Sequence, residues 1–172
     1  VARDKDSHLG DENLDIALHC GTEPAGNLVG RRLNDIEIGL YASHLYIARY
    51  GRPSSLPDLA NHRLIRHLYY NDNEWLLRDQ QGQITRIPLG RSTNVAGATL
   101  GLALMLNGGG ILSVGRRTMR LKEFASQVVD LFPMHECVLR NRERNAVWLL
   151  FPERNPSPQV RLFADELLVQ LE

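Results

Sequence analysis

The chain has 172 residues, of which 43% are hydrophobic, and its 20 basic and 20 acidic residues give a formal charge of zero. This length supports one domain or two small lobes, and the balanced charge excludes an overall field that would draw the chain to nucleic acid or a membrane. No apolar run reaches the roughly 18 residues of a membrane-spanning helix. Because the polar start is no secretory signal, we expect a cytoplasmic protein. The start without methionine, inside an apparent structural element, suggests a fragment of a longer protein.

Two apolar runs near the start predict strands, Leu14–Cys20 and Ile36–Ala42. Residues 21–35 lie between them and are rich in Gly, Pro and Asn, so they predict a loop. Ser43 is placed to cap a short helix, and Gly51 is placed to end it.

The middle of the chain predicts a second short helix and three strands. Ser55–Asp58 has the spacing of a helix start, and Arg63–Leu68 follows as a strand. Glu74–Asp79 and Ile84–Leu89 then predict a β-hairpin whose turn contains Gly82.

The second half predicts a helix over Thr93–Asn107, capped by a polar residue at position 92, 93 or 94. Gly108, Gly109 and Gly110 would end this helix, where positive φ is needed, and lead into a strand over Ile111–Val114. A short amphipathic helix follows, then further strands, and a closing helix with Pro158 near its first turn.

Strands that alternate with helices predict an α/β fold with mainly parallel sheets. Cys20 and Cys137 are too few for a disulfide scaffold and lack metal-ligand spacing, so we expect two buried thiols in a reducing compartment.

No motif predicts an enzyme. Gly110 and Gly115 have the spacing of a phosphate loop, but Arg116 and Arg117 replace the Lys and Ser/Thr that such a loop needs, and the glycines precede the strand. Ser113 lacks the first glycine of a nucleophile elbow. The six histidines are scattered and no pair of carboxylates stands out. We therefore expect no catalytic residue, no metal and no cofactor.

The remaining signals lie where strands end and helices begin. Ligands of α/β sheets bind beyond the carboxyl ends of strands, and helix N-termini attract anions. Three places qualify: His19–Thr22 after the first strand, Arg66–Tyr70 after the third, and Ser92–Val95 at the predicted helix start.

Several phrases of the chain, taken in order, resemble the effector-binding domain of LysR-type transcriptional regulators. The resemblance covers essentially the whole chain, and the combined pattern is specific although each phrase is weak. The phrases lie at Asp15–Gly21, Arg31–Leu33, Tyr41–Ser43, Tyr46–Ala48, Gly51, Leu56–Leu59, His62, Gly108–Val114 and Val147–Leu167.

The resemblance implies two Rossmann-like subdomains joined by two crossover strands, as in a type 2 periplasmic binding protein. The crossovers would be Ile36–Ala42 and Ala146–Phe151. Subdomain I would comprise residues 1–38 plus 147–172, and subdomain II residues 39–146. The family's N-terminal winged helix-turn-helix domain is absent from the sequence, as are the first strand and helix of subdomain I.

The family resemblance also implies a small-molecule effector in a cleft between the subdomains, whose binding shifts the packing of a homodimer or homotetramer on DNA. DNA would be contacted only through the absent domain. A helix start at Asn94 would donate backbone N–H groups, and Arg66 or a protonated histidine would counter an anionic group. The residues expected to line the cleft are His19, Cys20, Thr22, Ser43, Arg66, His67, Asn94 and Val95.

Two positions depart from the family pattern: His19 replaces a common arginine, and His44 replaces a proline. These two differences are compatible with a domain that binds an unusual effector or no effector. The alternative interpretations are a periplasmic-type solute-binding protein, which shares the two-lobe architecture, and a small α/β hydrolase acting through Ser113.

Overall fold

A computed structural model of the chain describes residues 15–23, 29–67, 73–90, 92–151 and 157–171. The chain forms two compact units. Unit 1 comprises residues 1–36 and 145–172, and unit 2 comprises residues 37–144.

Unit 1 contains β1 (Ala17–Gly21), β2 (Val29–Ile36), β11 (Asn145–Phe151) and α5 (Pro158–Leu171). The strands form an antiparallel sheet in the order β1-β11-β2, packed against α5. The core contains residues of the central strand together with Val160, Ala164 and Leu167 of the helix. Part of the predicted apolar face of the closing helix therefore packs as expected, but Phe163, which was expected on that face, is exposed.

The strand β2 corrects a prediction, because residues 21–35 were expected to form a loop. Val29–Ile36 instead pairs with β11, with one irregularity in register at Leu33. Gly30, Arg31 and Arg32 are exposed on this strand, which is possible because it lies at the edge of the sheet. The polar composition of the strand therefore resembles that of a loop, although the strand is paired. Residues 24–28 of the predicted loop lie outside the described residues.

Unit 2 is built on an eight-stranded sheet. The strands are β3 (Ile38–Ser43), β4 (Leu64–His67), β5 (Glu74–Arg78), β6 (Ile84–Pro88), β7 (Ser92–Val95), β8 (Ile111–Gly115), β9 (Val128–Asp130) and β10 (Glu136–Val138). Seven of them follow the order β6-β5-β10-β3-β8-β4-β7, and β9 pairs with β3. The helices are α1 (His44–Tyr50), a 3₁₀ helix (Pro57–Asn61), α2 (Ala98–Leu106), α3 (Arg116–Met119) and α4 (Lys122–Ala125).

The two faces of this sheet bury separate core clusters. Leu40 and Leu64 belong to the cluster that also contains Tyr46 of α1, whereas Tyr41 and Ile65 belong to the cluster that contains Met105 of α2. Successive strand residues point to opposite faces, so helices cover both sides and the α/β class is confirmed.

The expectation of mainly parallel sheets is wrong for the described strands. Within unit 2 only β4 pairs in parallel, with β7 and with β8, and the other pairings are antiparallel. The expected single strand Ile36–Ala42 is also divided, since β2 ends at Ile36 and β3 begins at Ile38.

Local signals around α1 and the hairpin are confirmed. The Ser43 Oγ accepts a hydrogen bond from the backbone N–H of Tyr46, 3.3 Å away, and so caps α1. Gly51 ends the helix with φ of 78°, and Gly82 turns the β5–β6 hairpin with φ of 83°.

The predicted helix Thr93–Asn107 starts too early, because Ser92–Val95 forms β7 and α2 begins at Ala98 after an N-cap at Gly97. At its end only Gly108 has positive φ, 79°. Gly110 is required for a steric reason, because a Cβ at this position would lie 2.7 Å from the backbone oxygen of Arg63.

The capping pair expected at Ser55 and Asp58 is displaced by one residue. The Asp58 carboxylate accepts hydrogen bonds from the backbone N–H and the hydroxyl of Ser54, at 2.9 and 3.1 Å. These bonds hold the pKa of Asp58 below its usual value.

Candidate functional site

Four of the predicted residues of unit 2 lie at the carboxyl ends of two parallel strands. Arg66 of β4 pairs in register with Asn94 of β7, and His67 with Val95. Arg66 Nε donates to Asn94 Oδ1 at 2.9 Å, and Arg66 Nη1 donates to Asn73 Oδ1 at 2.7 Å. The guanidinium is therefore held in a fixed position by two side-chain amides.

The charge of Arg66 is not neutralised by these partners. In the part of the chain that the structure describes, no carboxylate lies within ion-pair distance of Arg66, and its Nη2 donates no hydrogen bond. A guanidinium has five donors arranged to fit a carboxylate or phosphate. This edge of the sheet is consequently suited to an anionic group.

His67 lies on the opposite face of the sheet from Arg66, since neighbouring strand residues alternate. Its ring packs against α2 at Gly101, where an added Cβ would lie 2.9 Å from His67 Cε1. Glycine at this position lets the ring and the helix approach closely.

The start of α2 lies close to the end of β7, because only residues 96 and 97 separate them. Asn94 is two residues too early to begin the helix, so its expected donation of helix N–H groups is wrong. The N-cap residue Gly97 has no side chain to cap α2, and the positive end of the helix dipole adds a weak attraction for anions at this edge.

Two other predicted residues of unit 2 have structural roles. Ser43 is 1% exposed, and its hydroxyl caps α1. Val95 is 3% exposed and packs in the core beside α2. Asn73, in contrast, was missed by the sequence prediction, although a polar residue directly before an apolar strand marks such an end position.

The predicted residues of unit 1 lie on and just after β1. His19 Nε2 is 3.2 Å from the backbone oxygen of Thr22, and the Trp148 indole donates to the backbone oxygen of Gly21 at 3.3 Å. These bonds hold the chain in its turn beyond the strand.

Cys20 is exposed, which contradicts the expectation that it is buried. Side chains alternate along β1, and Cys20 falls on the exposed positions together with Leu18. Cys137 is buried as expected, and burial raises the pKa of its thiol to about 12. A thiol with that pKa is almost entirely protonated at neutral pH and is a poor nucleophile.

The described residues contain no group of three or more His, Cys, Asp or Glu side chains arranged to hold a metal ion. Among the helices described, none has the length and apolar character to cross a membrane.

Comparison with known proteins identifies relatives among bacterial regulators. The chain is 37% identical to an HTH-type transcriptional regulator of Xanthomonas campestris, over 43% of this chain and 25% of the relative. It is 32% identical to the HTH-type transcriptional activator AaeR of Escherichia coli, over 46% of this chain and 26% of that protein. The matches thus span about a quarter of the length of these relatives.

Solved structures share the fold. The effector domain of AmpR from Pseudomonas aeruginosa matches 99% of this chain and 79% of its own length, with a TM-score of 0.79 and 18% identity. The regulatory domain of AphB from Vibrio vulnificus, in its C227S variant, matches 91% and 77%, with a TM-score of 0.72 and 18% identity. The full-length AphB of Vibrio cholerae matches 92% of this chain and 52% of its own length, with a TM-score of 0.69 and 21% identity.

The LysR substrate binding domain family matches residues 7–172, which is nearly the whole chain. The resemblance found in the sequence and the two-unit α/β fold expected from it are both confirmed. The chain belongs to the LysR substrate-binding domain family and is an effector-sensing regulatory domain of the LysR type.

Proposed function

We propose that this domain senses a small anionic effector whose carboxylate, or similar group, binds Arg66 and Asn94. The observation that carries the proposal is that Arg66 is fixed by two amides yet has no carboxylate partner among the described residues. An anion could bond its unused donors without displacing either amide. Charge-assisted hydrogen bonds of this kind are roughly twice as strong as neutral ones.

The other predicted contacts complete the proposal. His67 would contribute through its ring beside α2, and His19, Cys20 and Thr22 of unit 1 remain predicted contacts. The Ser43 side chain caps α1 and the Val95 side chain packs in the core. These two residues would therefore contribute indirectly, by holding the backbone beside the effector in position.

A thermal-shift screen of small carboxylates and amino acids tests the anionic nature of the effector. A ligand that binds only the folded state stabilises it by about 2.7 kcal/mol at a concentration one hundred times its Kd. We expect at least one carboxylate to raise the melting temperature in a concentration-dependent way. The matched control is the primary amide of the same compound, which keeps its shape but lacks the charge.

The amide should give little or no shift, because it cannot neutralise the guanidinium. Equal stabilisation by the acid and its amide would contradict an effector bound through its charge.

The proposal for the whole protein is a transcriptional regulator in the cytoplasm. The curated relatives are named as HTH-type regulators, so DNA binding would belong to a helix-turn-helix domain outside this sequence. Effector binding would change the relative stability of two arrangements of a DNA-bound oligomer. The domain itself would bind and release its effector without chemical change, and the relatives favour this role over that of a solute-binding protein.

The surface of α2 supports a homo-oligomer. Apart from Thr99, its residues are apolar or glycine, and Leu100 is 57% exposed. Leu45 of α1 is 64% exposed and lies beside Gly108 at the other end of α2. A helix that is apolar on every side is typically buried, so we propose that a second copy of the chain covers this face.

Leu100→Glu tests the proposed dimer. We expect at least a tenfold rise in the dissociation constant for self-association, about 1.4 kcal/mol, because a charge would enter an apolar contact. Analytical ultracentrifugation measures it. Leu121→Glu is the matched control, since Leu121 is 49% exposed and precedes α4. Equal effects of the two substitutions would contradict the assignment to α2.

A further inference from the structure

A polar cavity lies in unit 2, at the opposite end of β4 from Arg66. Its volume is about 530 Å³, and it is lined by residues that include Asn61, His62, Arg63, Thr93 and Gly109. Arg63 directly precedes β4, and Gly109 lies two residues before β8. Because these parallel strands begin at the same edge, the cavity and the Arg66 site lie at opposite ends of β4.

His62 presents an unused hydrogen-bond donor at this cavity. Its side chain is only 8% exposed, and its Nδ1 is 3.0 Å from the Tyr46 hydroxyl. That hydroxyl accepts a hydrogen bond from the backbone N–H of Arg63 at 2.9 Å. Burial raises the pKa of Tyr46, so the hydroxyl keeps its proton and has Nδ1 as its acceptor. The proton of neutral His62 is therefore placed on Nε2.

No described group accepts a hydrogen bond from His62 Nε2. The nearest carboxylate oxygen, Asp58 Oδ2, is 4.0 Å away, which is too far for a hydrogen bond. The Asp58 oxygens already accept bonds from Ser54 and from the Asn61 amide. Because Nε2 is not among the fully buried atoms without a partner and His62 lines the cavity, this donor is open to an acceptor on a bound ligand.

Positive charge at the same cavity comes from Arg63. Its guanidinium lies over the Tyr50 ring, 4.5 Å from the ring centre, and no carboxylate pairs with it within the described ranges. The Thr93 hydroxyl makes no other bond to a described group. Asp58, whose carboxylate lies 4.0 Å from His62 Nε2, would repel an anion, and its bonds to three donors reduce this repulsion.

We propose that this cavity is a second ligand site, which binds a small molecule through a carboxylate or phosphate group. His62 Nε2–H and the Arg63 guanidinium would donate to the oxyanion, with the Thr93 hydroxyl as a third donor. The site is separate from the effector site proposed at Arg66, because the three residue steps from Arg63 to Arg66 span about 10 Å along the strand.

Titration of the ¹⁵N-labelled chain with sodium phosphate, and separately with sodium acetate, tests the proposal by NMR. We expect saturable shifts of the amide signals of residues 61–63, 93 and 109 with at least one anion. Saturation by phosphate alone would identify a phosphorylated ligand, and saturation by acetate alone a carboxylate. Uniform shifts that do not saturate would overturn the proposal.

Variants identify which site is titrated. Arg63→Gln should weaken binding at the cavity at least tenfold, and Thr93→Val should weaken it less, since it removes only a neutral donor. Arg117→Gln, at an exposed arginine of α3, is the control and should change nothing. Arg66→Gln should leave the cavity shifts intact even if it abolishes binding at its own edge. Saturable shifts that persist in the Arg63→Gln variant would contradict the proposed cavity site. The effector site proposed at Arg66 would be unaffected by that result.

Discussion

Replacing Arg116 with methionine should destabilise unit 2 by about 3–5 kcal/mol, the usual cost of removing one partner from a buried ion pair. The Arg116 side chain is 6% exposed. It bonds the Asp130 carboxylate and the backbone oxygens of Phe132 and His135, and it pairs with Glu37 at 3.2 Å. Methionine fills a similar volume but leaves all these acceptors without their donor.

Most of the expected loss of stability comes from the Asp130 carboxylate, which no longer has its ion-pair partner. Asp130 Oδ2 also accepts a hydrogen bond from the Tyr41 hydroxyl at 3.1 Å. Burial raises the pKa of Tyr41, so this neutral donor persists at neutral pH. One neutral hydrogen bond does not replace a guanidinium, because charged groups contribute about 1.5–3 kcal/mol per bond and neutral ones less.

Urea unfolding, with hydrogen exchange of the β3 and β8 amides, measures the destabilisation of unit 2. Arg117→Met is the matched control and should stay within about 0.5 kcal/mol of the wild type. Adding Asp130→Leu to Arg116→Met should recover part of the loss, because it removes the unpaired carboxylate. A single Arg116→Met variant as stable as the control would contradict a structural role for this network.

Elements that are determined by residues close to one another in the sequence are predicted well. Helix α1 lies between Ser43 and Gly51, and both act through bonds or φ angles within a few residues. The β5–β6 hairpin follows from alternation on either side of Gly82. Such local signals do not depend on the rest of the fold.

Elements decided by distant pairing escape sequence prediction. Ser92–Val95 carries good helix caps, yet it pairs in parallel with β4 and becomes a strand. Val29–Ile36 has the composition of a loop, yet it pairs with a strand more than one hundred residues later. In both cases tertiary pairing overrides local propensity.

The candidate site is predictable only in part for the same reason. A strand end predicts Arg66 and a supposed helix start predicts Asn94, and the β4–β7 register brings the two together. Asn73, seven residues after Arg66, accepts a hydrogen bond from it; its place directly before β5 marks it as a strand-end residue but does not identify this partner. The alternation of strands and helices also does not determine strand direction, which accounts for the wrong expectation of mainly parallel sheets.

Arg66→Gln should weaken effector binding by about 10- to 150-fold, the equivalent of losing 1.5–3 kcal/mol of charge-assisted hydrogen bonding. Glutamine keeps a hydrogen-bond donor but loses the charge and the planar fork. The domain itself should remain folded, because Arg66 is only half-buried and its two amide partners are exposed. The loss should therefore appear in affinity and not in stability.

Isothermal titration calorimetry tests most directly whether Arg66 binds the anionic group of the effector. The best-stabilising carboxylate would be titrated into the wild-type domain, into Arg66→Gln, and into Arg49→Gln, a control at an exposed arginine of α1. We predict at least a tenfold higher Kd for Arg66→Gln alone. An unchanged Kd in a folded Arg66→Gln domain would contradict the claim.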